Sequence, residues 1–197
     1  MIVHVPDPVL TLPSKTIGQI DKKILDVVSQ MKRTLIEKDN PKGVGLAAVQ
    51  IGIPLKIFIA KPEENSEMDV FINPEIIEYS KNLAEIERPA SAAPPAKPLA
   101  THGKASASKE KKLEGCLSIP NVWGYLKRPK TVKLKYLDIN GQTQTKVFSG
   151  FMATIVQHET DHLNGILFTQ RVLEQKQKLY RIEDDEKGEE KLIELEI

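Results

Sequence analysis

The segment His158-Glu159-Thr160-Asp161-His162 sets two imidazoles and a carboxylate at fixed spacing. On a helix turning about 100° per residue, the two histidines lie about 40° apart around the axis, one turn apart along it. Such a pair can grip one metal ion from a single helix face. Glu159 falls about 60° from His162, near enough to reach a water on that ion. Histidines that merely pack or face solvent are the blander reading, but three fixed identities within five positions argue against it. A catalytic ion of this kind takes three protein ligands and keeps a fourth position open. Cys116, the one cysteine of the chain, stands in Glu-Gly-Cys-Leu-Ser-Ile-Pro and is the natural third ligand. Taken alone it would read as a buried structural thiol. His102 lies in a low-complexity stretch, and His4 reads as an ordinary strand or surface residue. A Cys–His–His site with an open corner therefore follows from this inventory. A third segment, Gly43-Val44-Gly45-Leu46-Ala47-Ala48-Val49-Gln50, has two glycines that allow a tight turn and close backbone approach to a ligand. It lacks the Lys-Ser/Thr ending of a phosphate loop and is not a dinucleotide fingerprint.

These residues need elements to hold them. Residues 150–163 read as the helix carrying the histidines, with Ser149 as N-cap and Asn164-Gly165 as the stop. Phe151 and Ile155 extend the histidine face as an apolar floor. Residues 21–37 repeat apolar side chains at helical spacing, capped by Asp21 and ended by Asn40-Pro41. Residues 56–60 and 69–73 are short strand-like runs. Residues 131–148 alternate apolar and polar around Asn140-Gly141, which predicts a hairpin closed by a type I′ turn. Residues 169–180 read as a charged surface helix, and 179–183 with 191–197 as a weak terminal hairpin around an acidic turn.

The chain has 197 residues, 40% of them apolar, which suits one domain with a real core. Twenty-eight basic and 27 acidic residues give a net charge of +1, and aromatics are 5%. Neither a dedicated DNA binder nor a base-stacking platform is expected from that balance. One cysteine excludes a disulfide framework and fits a reducing compartment. The longest uncharged stretch, residues 43–55, falls short of the ~18 apolar residues a membrane span needs. The first residues show no basic region followed by an apolar run, so no signal peptide is read there. A soluble cytoplasmic protein is the expectation.

The segments GVGLAAVQIG, EGCLSIP and QHETDHLNG, in this order, closely resemble the three signature segments of the peptide deformylase family. The likeness runs from about residue 1 to 171, because PDPVL and the basic hairpin after EGCLSIP also look like the family. It implies that Cys116, His158 and His162 are metal ligands and Glu159 the general acid/base. Gln50 and the backbone N–H of Leu117 would donate to the oxyanion, and Gly45 would contact the substrate backbone. The implied reaction removes the formyl group from N-formylmethionyl nascent chains and releases formate. The implied ion is Fe2+, with Zn2+, Ni2+ or Co2+ as substitutes; the ligand set itself suits zinc. Val44 and Ile155, with Leu117, would line an apolar cavity for the methionine side chain. The implied fold is α+β: antiparallel sheets around a central metal-bearing helix, with an N-terminal helix outside.

Zincin metallopeptidases share only the HExxH pattern, and a cysteine ligand argues against them. Two rivals stay open: a metal-dependent amidase of other N-terminal specificity, and an inert deformylase-like module with a structural metal. Arg128 is expected to pair with Asp161 and brace the metal-bearing helix, or else to be a solvated arginine of a basic strand. Lys127, Arg128, Lys130, Lys133 and Lys135 are the expected ribosome-facing surface, set against a plain solvated strand face. Residues 88–109, mostly Ala, Pro, Ser and Lys, read as a flexible insert longer than the family's usual connection. Residues 172–197 read as an acidic C-terminal extension of the single domain.

Overall fold

Asp21 starts helix α1 (Lys22–Ile36): its carboxylate accepts from the Ile24 N–H at 3.0 Å, closing one of the open donors at a helix start. The computed structural model describes residues 1–38, 42–63, 65–87, 113–184 and 190–196. The expected stop at Asn40-Pro41 and the insert at 88–109 lie outside the described residues.

After α1 the chain forms β1 (Gly45–Ala47), a one-turn 3-10 helix at Ala48–Ile51, β2 (Ile57–Ala60) and β3 (Asp69–Tyr79). Short strand β4 (Leu83–Ala84) follows, then β5 (Glu114–Cys116), β6 (Ile119–Gly124), β7 (Arg128–Pro129), β8 (Thr131–Leu137) and β9 (Thr143–Ser149). The last elements are α2 (Gly150–Leu163), α3 (Phe168–Glu174), β10 (Leu179–Asp184) and β11 (Glu190–Glu194). One sheet runs β1-β2-β3-β8-β9, a second β11-β10-β6-β5, and β4 pairs with β7. Every pairing between these strands is antiparallel. The α+β expectation is met.

Strand β2 shows how the sheet is covered. All four of its residues are buried, and alternation sends them to opposite faces. Phe58 and Ala60 join Phe71, Leu134 and Tyr136 against Ile155 and Val156 of α2. Ile57 and Ile59 join Ile72 against Val28, Met31 and Leu35 of α1. Helix α2 is thus an inner element, buried on most sides, while α1 covers the outer face of the larger sheet. The smaller sheet packs on α3 through Cys116, Ile119, Phe168, Val172 and Leu179, and meets α2 where Glu114 and Cys116 approach His158 and His162.

Local expectations fare unevenly. The stop of α2 is as read: Gly165 takes φ +73°, and the N–H groups of Gly165 and Ile166 bond to the His162 and Asp161 carbonyls. Ser149 occupies the cap position but its side chain makes no capping bond; Gly150, at φ +59°, turns β9 into the helix. The hairpin turn is not type I′. Only Gly141 has positive φ, and the Asp138 carboxylate accepts from the Asn140 and Gln142 N–H groups, organising a longer turn. Strand β3 continues through Pro74 because Asn73, at φ +49°, leaves the ladder as a bulge and bonds Ile17 on both backbone groups. Helix α3 stops at Glu174 because Lys176 turns left-handed, freeing Leu179 to start β10. The terminal hairpin forms and extends the smaller sheet through β6.

Candidate metal centre

Four separate segments meet at one cleft of about 60 Å³. Edge strands β1 and β5 flank it and α2 forms its floor. Val44, Gly45, Gln50, Cys116, Leu117, Ile155, His158 and Glu159 all line it. The ligand atoms of Cys116, His158 and His162 lie within 4.8 Å of one another, the one such cluster found among the described residues. Cys116 Sγ is 3.0 Å from His162 Nε2. His4 is exposed and apart from the cluster, and His102 lies outside the described residues.

The donor set fits a divalent transition ion: one soft sulfur and two imidazoles. Its protonation fits too. Burial alone would push the Cys116 thiol up, but His162 and His158 pull it down to about 5, so sulfur is anionic at neutral pH. His158 is drawn well above its usual range, burial notwithstanding, by its bonds to Cys116 and Glu114. A metal entering here would displace the extra proton of His158.

Glu114 is a residue that sequence reasoning missed, as is Ser118 beside Gln50. Glu114 Oε1 sits 2.7 Å from His158 Nδ1, orienting the ring so that its other nitrogen is left for the metal. Arg128 answers with two bonds to Glu114, 2.8 Å from Nε and 2.7 Å from Nη2, and holds its carboxyl well below the usual range despite burial. The signal was available in principle: on a strand, Glu114 and Cys116 point to the same face. Arg128 also donates from Nη1 to Asp161 at 2.9 Å, so the expected brace of α2 is present. Arg128 is therefore buried in ion pairs and is not part of any surface for ribosomal RNA; its buried partners hold it inward. Lys127, Lys130 and Lys135 are exposed and Lys133 is half-buried.

On the opposite wall the Gln50 side chain is fixed at both ends. Its Oε1 accepts from the Ala47 N–H at 2.8 Å, which commits Nε2 to face Ser118 Oγ at 3.2 Å and Cys116 Sγ at 3.5 Å. Glu159 is 4% exposed, and its Oε2 has no hydrogen-bond partner among the described residues. Burial raises its pKa to about 7, against the pull of the two histidines. Gly45 allows this close packing: a Cβ there would collide with Glu159 Oε1 and stand 2.9 Å from Ile155 Cγ2. Gly115 does the same for Trp123, whose ring lies where a Cβ would fall. The arrangement can hold an ion, take a proton and donate to a nearby oxygen.

Comparisons with known proteins agree with this geometry. The family model described as polypeptide deformylase matches residues 1–178. A peptide deformylase of Rhodopirellula baltica is 37% identical over 177 residues, covering 88% of this chain and 73% of that protein. The actinonin-bound peptide deformylase of Synechococcus elongatus superposes with a TM-score of 0.69 at 32% identity, over 87% of this chain and 79% of that one. The Met-Ala-Ser-bound class I type b enzyme of Acinetobacter baumannii gives 0.69 at 30% identity, over 87% and 97%.

Proposed function

Since the chain belongs to the polypeptide deformylase family, we propose a division of labour among its own residues. The protein is a metal-dependent hydrolase that removes the N-terminal formyl group from nascent peptides, giving formate and a free amine. Cys116, His158 and His162 hold the ion, which we assign as Fe2+, with Zn2+, Ni2+ or Co2+ able to replace it. When bound, the ion polarises the formyl group and brings a water's pKa from about 15.7 toward ~7.

Glu159 is the proton carrier. Its unpartnered Oε2 takes the proton of the attacking water and passes it to the departing amine. Gln50 Nε2, aimed by the Ala47 N–H, and the Leu117 backbone N–H donate to the developing oxyanion. Losing one such donor typically costs about 3 kcal/mol, or ~10²–10³ in rate. The two flanking strands are sheet edges, so backbone at Gly45 can bond an extended peptide. Val44, Leu117 and Ile155 receive the methionine side chain, a reading supported by the Met-Ala-Ser ligand of the Acinetobacter enzyme. Formyl is the smallest acyl group, so a narrow cleft can reject acetyl by sterics.

We read the chain as one catalytic domain acting in the cytoplasm, with 88–109 as an insert and 172–197 as an extension. No helix among the described residues is long and apolar enough to cross a membrane. Contact with the ribosome would use Lys127, Lys130, Lys133 and Lys135; co-sedimentation that ignores added salt would exclude it. The observation that carries the whole reading is the convergence of Gln50, Cys116, His158, Glu159 and His162 on one cleft. Formate release from formyl-Met-Ala tests it, with acetyl-Met-Ala and Glu159→Ala as controls. Only the formyl peptide should turn over, and only with Glu159 intact. Equal turnover of both peptides would favour a general amidase; full metal occupancy without turnover, an inert module.

A further inference from the structure

We infer that Arg171 is a positioning residue for the metal site, the outermost link of a chain of charged contacts ending on His158. This rests on Cys116, His158 and His162 being the metal ligands. The contacts run without a gap. His158 Nδ1 meets Glu114 at 2.7 Å, Glu114 meets Arg128 at 2.7 and 2.8 Å, and Arg128 meets Asp161 at 2.9 Å. Asp161 then meets Arg171 through both oxygens, at 2.9 Å from Nη2 and 3.4 Å from Nε. Charges alternate along it: Glu114 negative, Arg128 positive, Asp161 negative, Arg171 positive.

The arithmetic of that alternation gives Arg171 its role. Arg128 is shared between two buried carboxylates, with three of its N–H groups engaged. With Arg171 present, Asp161 is satisfied from a second side and can leave Arg128 committed to Glu114. Without Arg171, Asp161 keeps a single cation, and Arg128 is drawn toward it and away from Glu114. Glu114 then holds the His158 ring less firmly. Partners of this kind, one step behind a ligand, typically govern metal affinity by ~10–100-fold.

Arg171 also sits where such control can be reached. It stands on α3, about a third exposed, at the wall of a hollow of about 340 Å³ shared with Tyr79, Thr160 and Asp161. Its Nη1 donates outward to Glu174 at 3.1 Å. The chain of contacts thus joins a solvent-facing hollow behind α2 to the cleft in front of it.

The test uses the full chain loaded with Co2+, comparing wild type with Arg171→Met, Arg171→Lys and Glu174→Ala. Two properties are read besides turnover: the visible absorption of the bound cobalt, and the rate at which EDTA strips it. Arg171→Met should shift the absorption and release cobalt about tenfold faster, since it keeps the stem and loses the fork. Arg171→Lys, which restores charge without the bidentate fork, should lie between it and wild type. Glu174→Ala should match wild type. If Arg171→Met melts earlier but keeps the wild-type spectrum and release rate, Arg171 is only a clip between helices and the inference is overturned. If that variant does not fold, Arg171→Lys decides alone: faster release supports the role, an unchanged rate overturns it. A wild-type chain that takes up no cobalt would instead refute the metal site itself.

Discussion

Gly45 and Glu159 illustrate how little room this site has. The carboxylate occupies the space a side chain at residue 45 would need. We expect Gly45→Ala to displace Glu159 and Ile155 and to lower kcat/KM about 10²-fold, as misplacements near 1 Å can, while circular dichroism and metal content stay unchanged. The proton held by Glu159 has a thermodynamic signature. Its pKa of about 7 in the folded metal-free chain exceeds the free value of 4.5. Between those limits the folded state keeps a proton that the unfolded state has lost. The contribution of this group to the stability of the metal-free chain should therefore fall by roughly 3 kcal/mol as pH rises from 4.5 to about 7, while Cys116, its pKa lowered to about 5, acts in the opposite direction above that pH. In urea titrations across pH, the stability of wild type relative to Glu159→Gln should fall through that window; a difference that does not change with pH would remove Glu159 as its source. At this scale the clustering of Cys116 with His158 and His162, and Glu159 beside them, was legible, because the histidine spacing is helical and the chain has a single cysteine. Glu114 and Ser118 were not. A glutamate or serine on a short strand looks like any other until its buried neighbours are known.

Helix α2 buries polar residues of two kinds: Gln157 is answered by the Pro129 and Ala153 carbonyls and Asp161 by Arg128 and Arg171, whereas Glu159 Oε2, Thr160 Oγ1 and His162 Nδ1 have no partner among the described residues. Gln157, Glu159, Thr160, Asp161 and His162 are all buried, and the Arg128 guanidinium satisfies the acids around it. Arg128→Met should cost about 3–5 kcal/mol, since it leaves Glu114 and Asp161 charged and under-paired in the interior. The urea midpoint measures this, and an unchanged midpoint would mean the brace carries no stability. Element types were mostly legible: both long helices and the β8–β9 hairpin follow from period and caps. The misses were local chemistry. Asp138 captured two backbone donors and displaced the turn expected at Asn140-Gly141. Asn73 used its side chain to hold Ile17 and let a strand run past a proline. Side chains that bond backbone can override propensity in this way, and neither partner can be chosen from sequence when they stand 56 residues apart.

The molecule as a whole closes a circuit that the linear reading did not anticipate. The C-terminal hairpin pairs through β10 with β6, and β6 pairs with the strand carrying Cys116. Sheet order of this sort depends on long-range packing, which periodicity does not report. Leu192 of β11 packs with Leu113 and Trp123 behind that strand. Leu192→Ala should destabilise the chain by about 2 kcal/mol and slow catalysis, although it lies far along the sequence from every residue of the cleft. A variant with wild-type melting and turnover would show the hairpin to be a passive appendage. Trp123 has a wider consequence. It is the sole tryptophan of the chain, its ring lies against Gly115, and it lines the cleft. The protein therefore contains its own fluorophore, and one only, at the wall where a peptide would settle. Emission from this single indole offers a label-free optical record of occupancy, separable from all other events because no second indole contributes to the signal.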